Sequence, residues 1–274
     1  MLRIVSWNIR DGGWADPDAV TRTLAQLQPD LTAVQEAKGW SSNKYARLHD
    51  LADALDAPHH LHTLSNHDGV DLVTYIGRRL RTHGHALDVT GGTAHVGIQL
   101  LRLSLRDPEA LPGLDMRPHK WFSFLNAHLS YVHPPARAHE AGFMTEYAGG
   151  LGLAAGDMNT SLPEWAGGPP DPDSWDGVLP RKLRSRHLAP PATPGGFEPS
   201  DREAMAKLLR AGWHSPGILP PTAGHWDPVH EPHHHTPDHI LLSEPLLDRV
   251  RVLDYRVIDV PHSDHKPVVL DLDA

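Results

Sequence analysis

Hydrophobic and polar residues alternate over residues 2–8, as they do in a β-strand whose two faces have different surroundings. Leu2 and Ile4 fall on one face of this strand, and Val5 and Trp7 fall on the other. Further strands are predicted where short apolar runs are bounded by turn-forming residues. They cover residues 31–35, 70–76, 96–105, 121–129, 151–155, 239–243, 250–258 and 267–272.

Apolar residues at helical spacing lie between several of these strands. The first helix is predicted to begin at the N-cap Asp16, with Pro17 at its first position, and to end before Pro29. Other helices are predicted over residues 44–55, 136–147 and 201–211. The Pro-rich segments 160–200 and 215–237 are predicted to be surface loops.

This order of elements predicts an α/β fold in which two sheets pack face to face with helices outside them. A chain of 274 residues with 39% apolar composition can bury one large core, so we expect a single domain over residues 1–274. The absence of any 18-residue apolar run predicts no transmembrane helix, and the amino-terminal residues show no secretion signal pattern. We therefore expect a cytoplasmic monomer.

Composition narrows the chemistry. The chain has no cysteine, which excludes disulfides, zinc–thiolate sites and cysteine nucleophiles. The formal charge of −9 argues against a protein coated in basic surface for nucleic acid, although a local basic groove is compatible with it. Acidic residues around a divalent cation would make this negative charge misleading, because the metal neutralises part of it.

Polar residues that can bind a cation or exchange a proton recur at the ends of predicted strands. Strand ends at one edge of a sandwich lie close in space and can converge on one pocket. Carboxylate and amide oxygens suit Mg²⁺ or Mn²⁺, and histidines exchange protons near neutral pH. These residues are Asn8, Glu36, His128, Asp157, Asn159, Asp238, Asp264 and His265.

Each motif has an ordinary structural explanation when taken alone. Gly156-Asp157 followed by Asn159 is also a common turn, because Asp and Asn bond their own backbone. A lone histidine on a strand, such as His128, is more often packed or solvated than functional. The order of the motifs taken together is much harder to explain by chance. The motifs WN, QE, NxHL, GDxN, DHIL and SDHxPV follow one another along the chain, each beside a predicted strand.

This ordered set resembles the endonuclease/exonuclease/phosphatase family, which includes deoxyribonucleases, AP endonucleases, neutral sphingomyelinases, tyrosyl-DNA phosphodiesterase and inositol phosphate phosphatases. The resemblance extends over residues 3–272, and SDHKPV is its most specific part. It implies a four-layer α/β sandwich, with two mixed sheets packed together and helices on both outer faces. It also implies Mg²⁺- or Mn²⁺-dependent hydrolysis of a phosphate ester by in-line attack of water.

On the metal side of the site, the resemblance implies that Asn8, Glu36 and Asp264 hold the divalent cation, with Glu36 as the principal carboxylate ligand. Asp157 would orient or deprotonate the attacking water, and Asn159 would contact the phosphate beside it.

The resemblance also implies roles for two histidines. His265 would act on the scissile phosphate as a base or transition-state stabiliser, with Asp238 supporting its imidazole. His128 would contact phosphate or protonate the leaving oxygen. A histidine at this position resembles the deoxyribonuclease-like branch of the family, whereas AP endonucleases have a tyrosine near here. In that branch the resemblance implies that the histidine has an acidic partner on a neighbouring strand. We expect Asp71 to be that partner, although an aspartate facing water at a strand edge is the commoner explanation.

The chain departs from the family pattern in two respects, the residue at position 239 and the substrate loops 131–148, 160–200 and 214–237, which match no familiar pattern. His239 stands where the family has a tyrosine, a change we expect to be tolerated. The basic stretch 181–186 is either a solvated loop or a contact for a nucleic-acid backbone at the rim of the site. Loop tryptophans could stack on bases or cover the core edge; they are Trp165, Trp175 and Trp226. The histidines 233–235 form either a solvated run or a site for a second metal or phosphate.

The expected function is that of a nuclease-type phosphodiesterase whose partner is a phosphate-containing substrate, in particular nucleic acid. The alternative is a phosphatase for a small molecule such as an inositol phosphate or a lipid headgroup, which the acidic net charge favours. A binding module that has lost its chemistry is disfavoured, because a degenerate copy would lack at least one of Glu36, Asp157, Asp264 and His265.

Overall fold

A computed structural model describes residues 1–66, 69–107, 121–223 and 235–273. Its strands are β1 (Leu2–Asn8), β2 (Leu31–Gln35), β3 (His59–Thr63), β4 (Leu72–Ile76), β5 (Leu80–Ala86), β6 (Gly97–Leu105), β7 (Phe122–His128), β8 (Gly152–Asp157), β9 (Trp213–His214), β10 (Asp238–Ser243), β11 (Arg251–Val257) and β12 (Val268–Asp273). Its α-helices are α1 (Pro17–Leu27), α2 (Ala46–Ala54), α3 (Pro134–Thr145), α4 (Arg181–His187), α5 (Glu203–Arg210) and α6 (Glu244–Leu247).

The strands form two six-stranded sheets. The first has the order β11-β12-β1-β2-β4-β3, and the second has the order β5-β6-β7-β8-β10-β9. Both are mixed, because β1 pairs with β2 in parallel and with β12 antiparallel, while β7 pairs with β8 in parallel and β8 with β10 antiparallel. The long connections through α1 and α3 permit the two parallel pairs.

Alternation along the strands separates three layers of core. Ile4, Leu103 and Phe124 belong to the core between the two sheets. Val5 and Trp7 point the other way and pack with the apolar face of α1 and α2, and Leu125 packs with α3 and α5 on the opposite outer face. The expected four-layer α/β sandwich is therefore confirmed.

Five elements were not predicted from the sequence, among them the four-residue helix α6. Strand β3 has the sequence HHLHT and β5 is half exposed, so neither shows the apolar pattern of a central strand. Strand β9 contains only two residues. Helix α4 lies inside the segment predicted as a loop, and it buries a single apolar side chain, Leu183. No helix in the described ranges combines the length and the hydropathy that a bilayer crossing needs.

Candidate active site

The polar strand-end residues converge because they continue the faces that bury the core between the sheets. Asn8 shares a strand face with Ile4, and Asp157 shares one with Ala155, since residues two apart on a strand point the same way. In the same way, Asp238 shares a strand face with Ile240, and His128 shares one with Phe124. The gap between the sheets is therefore apolar along its length and polar where these strands end.

Asp157 lies at the centre of this polar end and is 1% exposed. Parallel pairing of β7 with β8 places it beside His128, whose Nε2 is 3.6 Å from Asp157 Oδ2. The glycine before it is required by the packing: a Cβ on Gly156, where φ is 150°, would lie 1.8 Å from the carbonyl oxygen of Ala127.

Asp238 and His265 form a buried pair next to Asp157. His265 Nδ1 lies 2.8 Å from Asp238 Oδ2, and its Nε2 lies 3.8 Å from Asp157 Oδ2. The Thr222 hydroxyl donates to the same Asp238 oxygen at 2.6 Å. The antiparallel register of β8 and β10 sets the two aspartates directly opposite each other.

These neighbours set the protonation of the pair. Burial lowers the pKa of His265, but Asp238, Asp157 and Asp264 outweigh it and raise the pKa well above its usual value. Burial likewise raises the pKa of Asp157, yet the charges of His265 and His128 and the hydrogen bond from Asn8 hold it below the usual value. The site therefore favours an imidazolium at position 265 and a carboxylate at position 157.

The turn that carries Asp264 and His265 is anchored to the end of β1. Trp7 Nε1 donates to the His265 carbonyl at 3.0 Å. The Ser263 hydroxyl donates to the Asn8 carbonyl at 2.9 Å and accepts from the His265 backbone N–H at 3.1 Å. These bonds explain how a segment far along the sequence meets the first strand.

Asn8 bridges two carboxylates. Its Nδ2 donates to Glu36 Oε1 and to Asp157 Oδ2, each at 3.0 Å, and its Oδ1 accepts from the Arg10 backbone N–H at 3.0 Å. The Asp11 N–H donates to the other oxygen of Glu36 at 3.0 Å. Glu36 itself has φ 60°, a conformation that a residue with a side chain rarely adopts. This bonding fixes Glu36 in a strained conformation at the mouth of the gap.

Asp264 carries surplus negative charge beside Glu36. Burial raises the pKa of Asp264 and the Glu36 charge raises it further, while His265 and Arg10 partly offset both effects. The Arg10 contact is long, with Nε 3.6 Å from Asp264 Oδ2. A cation between the two carboxylates would relieve this repulsion.

A cleft of about 560 Å³ opens over these groups. Six of the sequence-predicted residues line it, and two more, Asn8 and Asp238, lie beneath it and bond directly to lining residues. Several other lining residues carry no motif and were not selected from the sequence. These are Arg10, Asp11, Lys38, Tyr131 and His187, whereas Arg186 belongs to the basic stretch 181–186.

Asp71 is not the partner of His128, contrary to the expectation. Its Oδ2 lies 3.0 Å from His62 Nε2, and its Oδ1 accepts from the Ser65 N–H at 3.0 Å. Asp71 shares the outer face of its sheet with Val73, whereas His128 faces the gap between the sheets. The side chain therefore points to the wrong side of the sheet to reach His128. Tyr131 packs against the His128 ring instead, with centroids 6.1 Å apart.

Asn159 and His239 occupy defined positions beside the site. Asn159 has φ 50°, and its Nδ2 donates to the Leu129 carbonyl at 2.9 Å. His239 is buried on the outer face of its strand, with Nε2 2.8 Å from the Thr236 carbonyl. Burial lowers the pKa of His239 to about 4, so the ring is neutral near pH 7.

The loop predictions have mixed outcomes. The basic stretch 181–186 lies in helix α4, and its Arg186 lines the cleft. Trp175 is 5% exposed and stacks on Phe197, so it is not available to bases. Trp165 is 64% exposed. Trp226 and residues 233–234 of the histidine run lie outside the described residues, and His235 contacts the ring of His187.

Comparison with known proteins shows which family the chain belongs to. The model of the endonuclease/exonuclease/phosphatase family matches residues 5–265. The chain belongs to this family. Members of the family are hydrolases that act on phosphate esters and generally use divalent metals. No curated protein sequence matches the chain significantly.

Solved structures of family members share the fold at low sequence identity. An AP endonuclease from Archaeoglobus fulgidus superimposes with a TM-score of 0.62 at 16% identity, with 100% of both chains covered. A mannosyl-6-phosphatase from Bacteroides thetaiotaomicron has a TM-score of 0.60 at 14% identity, again with 100% of both chains covered. A family protein from Bacteroides vulgatus has a TM-score of 0.64 at 15% identity, covering 99% of this chain and 98% of the other.

Proposed function

We propose that this protein is a divalent-metal-dependent phosphodiesterase that cleaves its substrate by in-line attack of water. The observation that carries the proposal is the pairing of His265 with Asp238 beside an ionised Asp157, all at the base of one open cleft. A buried carboxylate next to an imidazolium can handle a proton and a developing negative charge within one site.

The donor set at the cleft suits Mg²⁺ or Mn²⁺. Glu36 and Asp264 both line the cleft, and their mutual repulsion raises the pKa of Asp264 in addition to the effect of burial. Two hard carboxylates in this state are ligands that such cations prefer. We assign the metal to Glu36 and Asp264, with Asn8 holding Glu36 in place. When bound, the cation supplies Lewis-acid stabilisation of the phosphoryl oxygens.

A second group could also hold a metal by distance alone: ligand atoms of Asp157, Asp238 and His265 lie within 4.8 Å of one another. We assign this group to proton handling instead. Asp238 is fully buried and does not line the cleft, and its Oδ2 is already bonded to both His265 and Thr222. Its hydrogen bonding orients the imidazole, which is the usual work of a carboxylate behind a histidine.

The remaining groups divide the reaction between them. Asp157 orients the attacking water and accepts its proton, because its lowered pKa keeps it ionised near neutral pH. His265 donates a hydrogen bond to the phosphoryl oxygen on which charge develops. Asn159 contacts the phosphate, and His128 lies on the other side of Asp157, placed to protonate the leaving oxygen.

The substrate is proposed to be nucleic acid, because Arg186 brings the basic helix α4 to the rim of the cleft. A small phosphorylated molecule is the second candidate. It is favoured by the formal charge of −9, while the fold is shared equally with an AP endonuclease and with a mannosyl-6-phosphatase.

Supercoiled plasmid and a set of small phosphate monoesters, each with Mg²⁺, with Mn²⁺ and with chelator, separate these possibilities. Nicking that requires metal is expected. Release of inorganic phosphate from monoesters without nicking would replace the nuclease by the phosphatase. Absence of turnover on all substrates, with Asp157→Asn as the matched negative control, would refute the enzymatic proposal.

A further inference from the structure

Helix α3 buries two charged side chains that the proposed reaction does not use. Arg137 is 1% exposed and Glu140 is 2% exposed. Glu140 accepts from the backbone N–H groups of His95 and Ser130, and Arg137 Nη1 donates to the Ser130 carbonyl at 3.1 Å. Since charged side chains are rarely buried without a specific partner, both are expected to have a positional role.

Arg137 also reaches two segments that are distant in sequence. Its Nη2 donates to the Arg186 carbonyl at 3.0 Å and to Asp201 Oδ1 at 3.2 Å. The Asp201 backbone N–H donates in turn to the His187 carbonyl at 2.8 Å. One guanidinium therefore joins the turn after β7, the end of α4 and the segment before α5. Its planar fork of donors suits three acceptors in different directions.

The segment held in this way forms one wall of the cleft. Arg186 and His187 both line the cleft, and they are the last two residues of α4. Helix α4 has seven residues and buries only Leu183, in a small cluster with Trp175, Leu179 and Leu188. A helix this short is not stable alone, so tertiary contacts must fix its position.

We propose that Arg137 and Asp201 are a positioning pair that holds the basic end of α4 against the cleft, where it binds the phosphate-containing substrate. The inference rests on the proposed function. The pair acts on substrate binding more than on the chemical step, because Asp157 and Glu36 are placed by strands of the rigid core. Arg137 is thus a positioning residue and not a catalytic one.

The decisive variant replaces both charges, as Arg137→Met with Asp201→Asn. A single substitution would leave one buried charge unpaired and destabilise the fold, whereas the double variant removes both charges and still deletes the donors to Arg186 and Ser130. Arg210→Met is the matched control, since Arg210 is exposed on α5 and pairs only at 3.4 Å with Glu203.

We expect the KM of the double variant for a phosphodiester to rise about tenfold, with kcat within about threefold of the wild type. Arg137→Lys keeps a charge for Asp201 but cannot reach all three acceptors, so it should raise KM by a smaller factor. If the double variant does not fold, Arg137→Lys decides the question alone.

A second measurement does not depend on activity. Helix α4 contains Arg181, Lys182, Arg184 and Arg186, so trypsin can report on how firmly it is held. Cleavage within 181–187 should be about tenfold faster in the double variant than in Arg210→Met, because local opening of a weakly held segment exposes it to the protease.

KM and cleavage rates equal to those of the Arg210→Met control would overturn the positioning role. A wild-type protein without metal-dependent turnover would refute the proposed function instead, and the trypsin result would then still test whether Arg137 holds α4.

Discussion

The two ends of strand β1 bury charge in opposite ways. Near its start, Arg3 donates to both oxygens of Asp271, at 2.7 and 2.9 Å, and Arg256 donates to the same carboxylate at 3.0 Å. At its end, Asn8 bonds to Glu36 and Asp157, and Arg10 Nε lies 3.6 Å from Asp264 Oδ2, a longer contact than those of Asp271. One end is balanced, and the other has surplus negative charge.

The pKa values of the aspartates at the two ends differ accordingly. Burial raises the pKa of Asp271, but its bonds to Arg3 and Arg256 outweigh burial and lower the pKa below its usual value. Burial and Glu36 raise the pKa of Asp264 above its usual value. The comparison indicates that the first end is arranged for stability, and it supports our proposal that the second end is arranged to bind a cation at the expense of stability in its absence.

The largest expected effect is at the second end. His265→Ala and Asp157→Asn should each lower turnover by about 10²–10⁴-fold, because each removes a group that we propose acts in the transition state. Asp157→Asn reduces the buried negative charge and should not lower the thermal midpoint strongly, whereas His265→Ala leaves Asp238 buried without its partner and should lower it. Single-turnover rates close to the wild type in both variants would refute the assignment of these residues.

Glu36→Gln should raise the metal concentration for half-maximal turnover by about 10–100-fold while leaving turnover at saturating metal within about tenfold. The reason is that the amide keeps the shape of the side chain but loses its charge. Titration of activity with Mg²⁺ and with Mn²⁺ measures this shift. A rate that no metal concentration restores would show that Glu36 does more than hold the ion.

At the first end the effect should fall on stability alone. Asp271→Asn is expected to lower the free energy of unfolding by about 1–3 kcal/mol, because a charge-assisted pair of bonds is lost, and to leave turnover unchanged. Urea unfolding of both proteins measures the difference, and Asp254→Asn, at an exposed partner of Arg256, is the control.

The bonds of Asp271 to Arg3 and Arg256 also determine how the free energy of unfolding depends on pH. The pKa of Asp271 is lower in the folded chain, so its contribution is complete above the unfolded pKa of about 3.9 and is lost as pH falls through the folded pKa. The stability gap between the wild type and Asp271→Asn should therefore be constant near neutrality and narrow below about pH 4. A gap that widens on acidification would contradict this sign.

The smallest effect is expected at Asp71. Because Asp71 bonds to His62 on the outer face of its sheet, Asp71→Asn should change turnover by less than about threefold. A loss of turnover of about 100-fold would restore Asp71 as the partner of His128. The variant His62→Ala then shows whether the loss arises from the contact between Asp71 and His62.

Much of the site could be predicted because the place where an apolar strand begins or ends is a local property of the sequence. Strands β1 and β8 end at Asn8 and Asp157, and β10 begins at Asp238, so these residues could be expected together at one edge of the sandwich. Side-chain pairing between distant segments has no such local signal. Asp71 was paired with the wrong histidine for this reason, and Arg137 gave no sign of its contacts with Arg186 and Asp201.

A polar bridge between the sheets illustrates the same limit. Gln35 Nε2 donates to Asn126 Oδ1 at 2.8 Å, and Asn126 Nδ2 donates to the Val73 carbonyl at 3.0 Å and to Gln99 Oε1 at 3.0 Å. Gln35 belongs to the motif QE and Asn126 to the motif NxHL, but neither motif indicates that these two residues bond to each other beneath the cleft.

Binding of Mn²⁺ measured by titration calorimetry, in the wild type and in Glu36→Gln/Asp264→Asn, tests the central claim most directly. The account predicts saturable binding to the wild type near neutral pH and a loss of affinity of at least about tenfold in the double variant. Equal affinities in the two proteins, or no binding to the wild type, would contradict a cation site between these carboxylates.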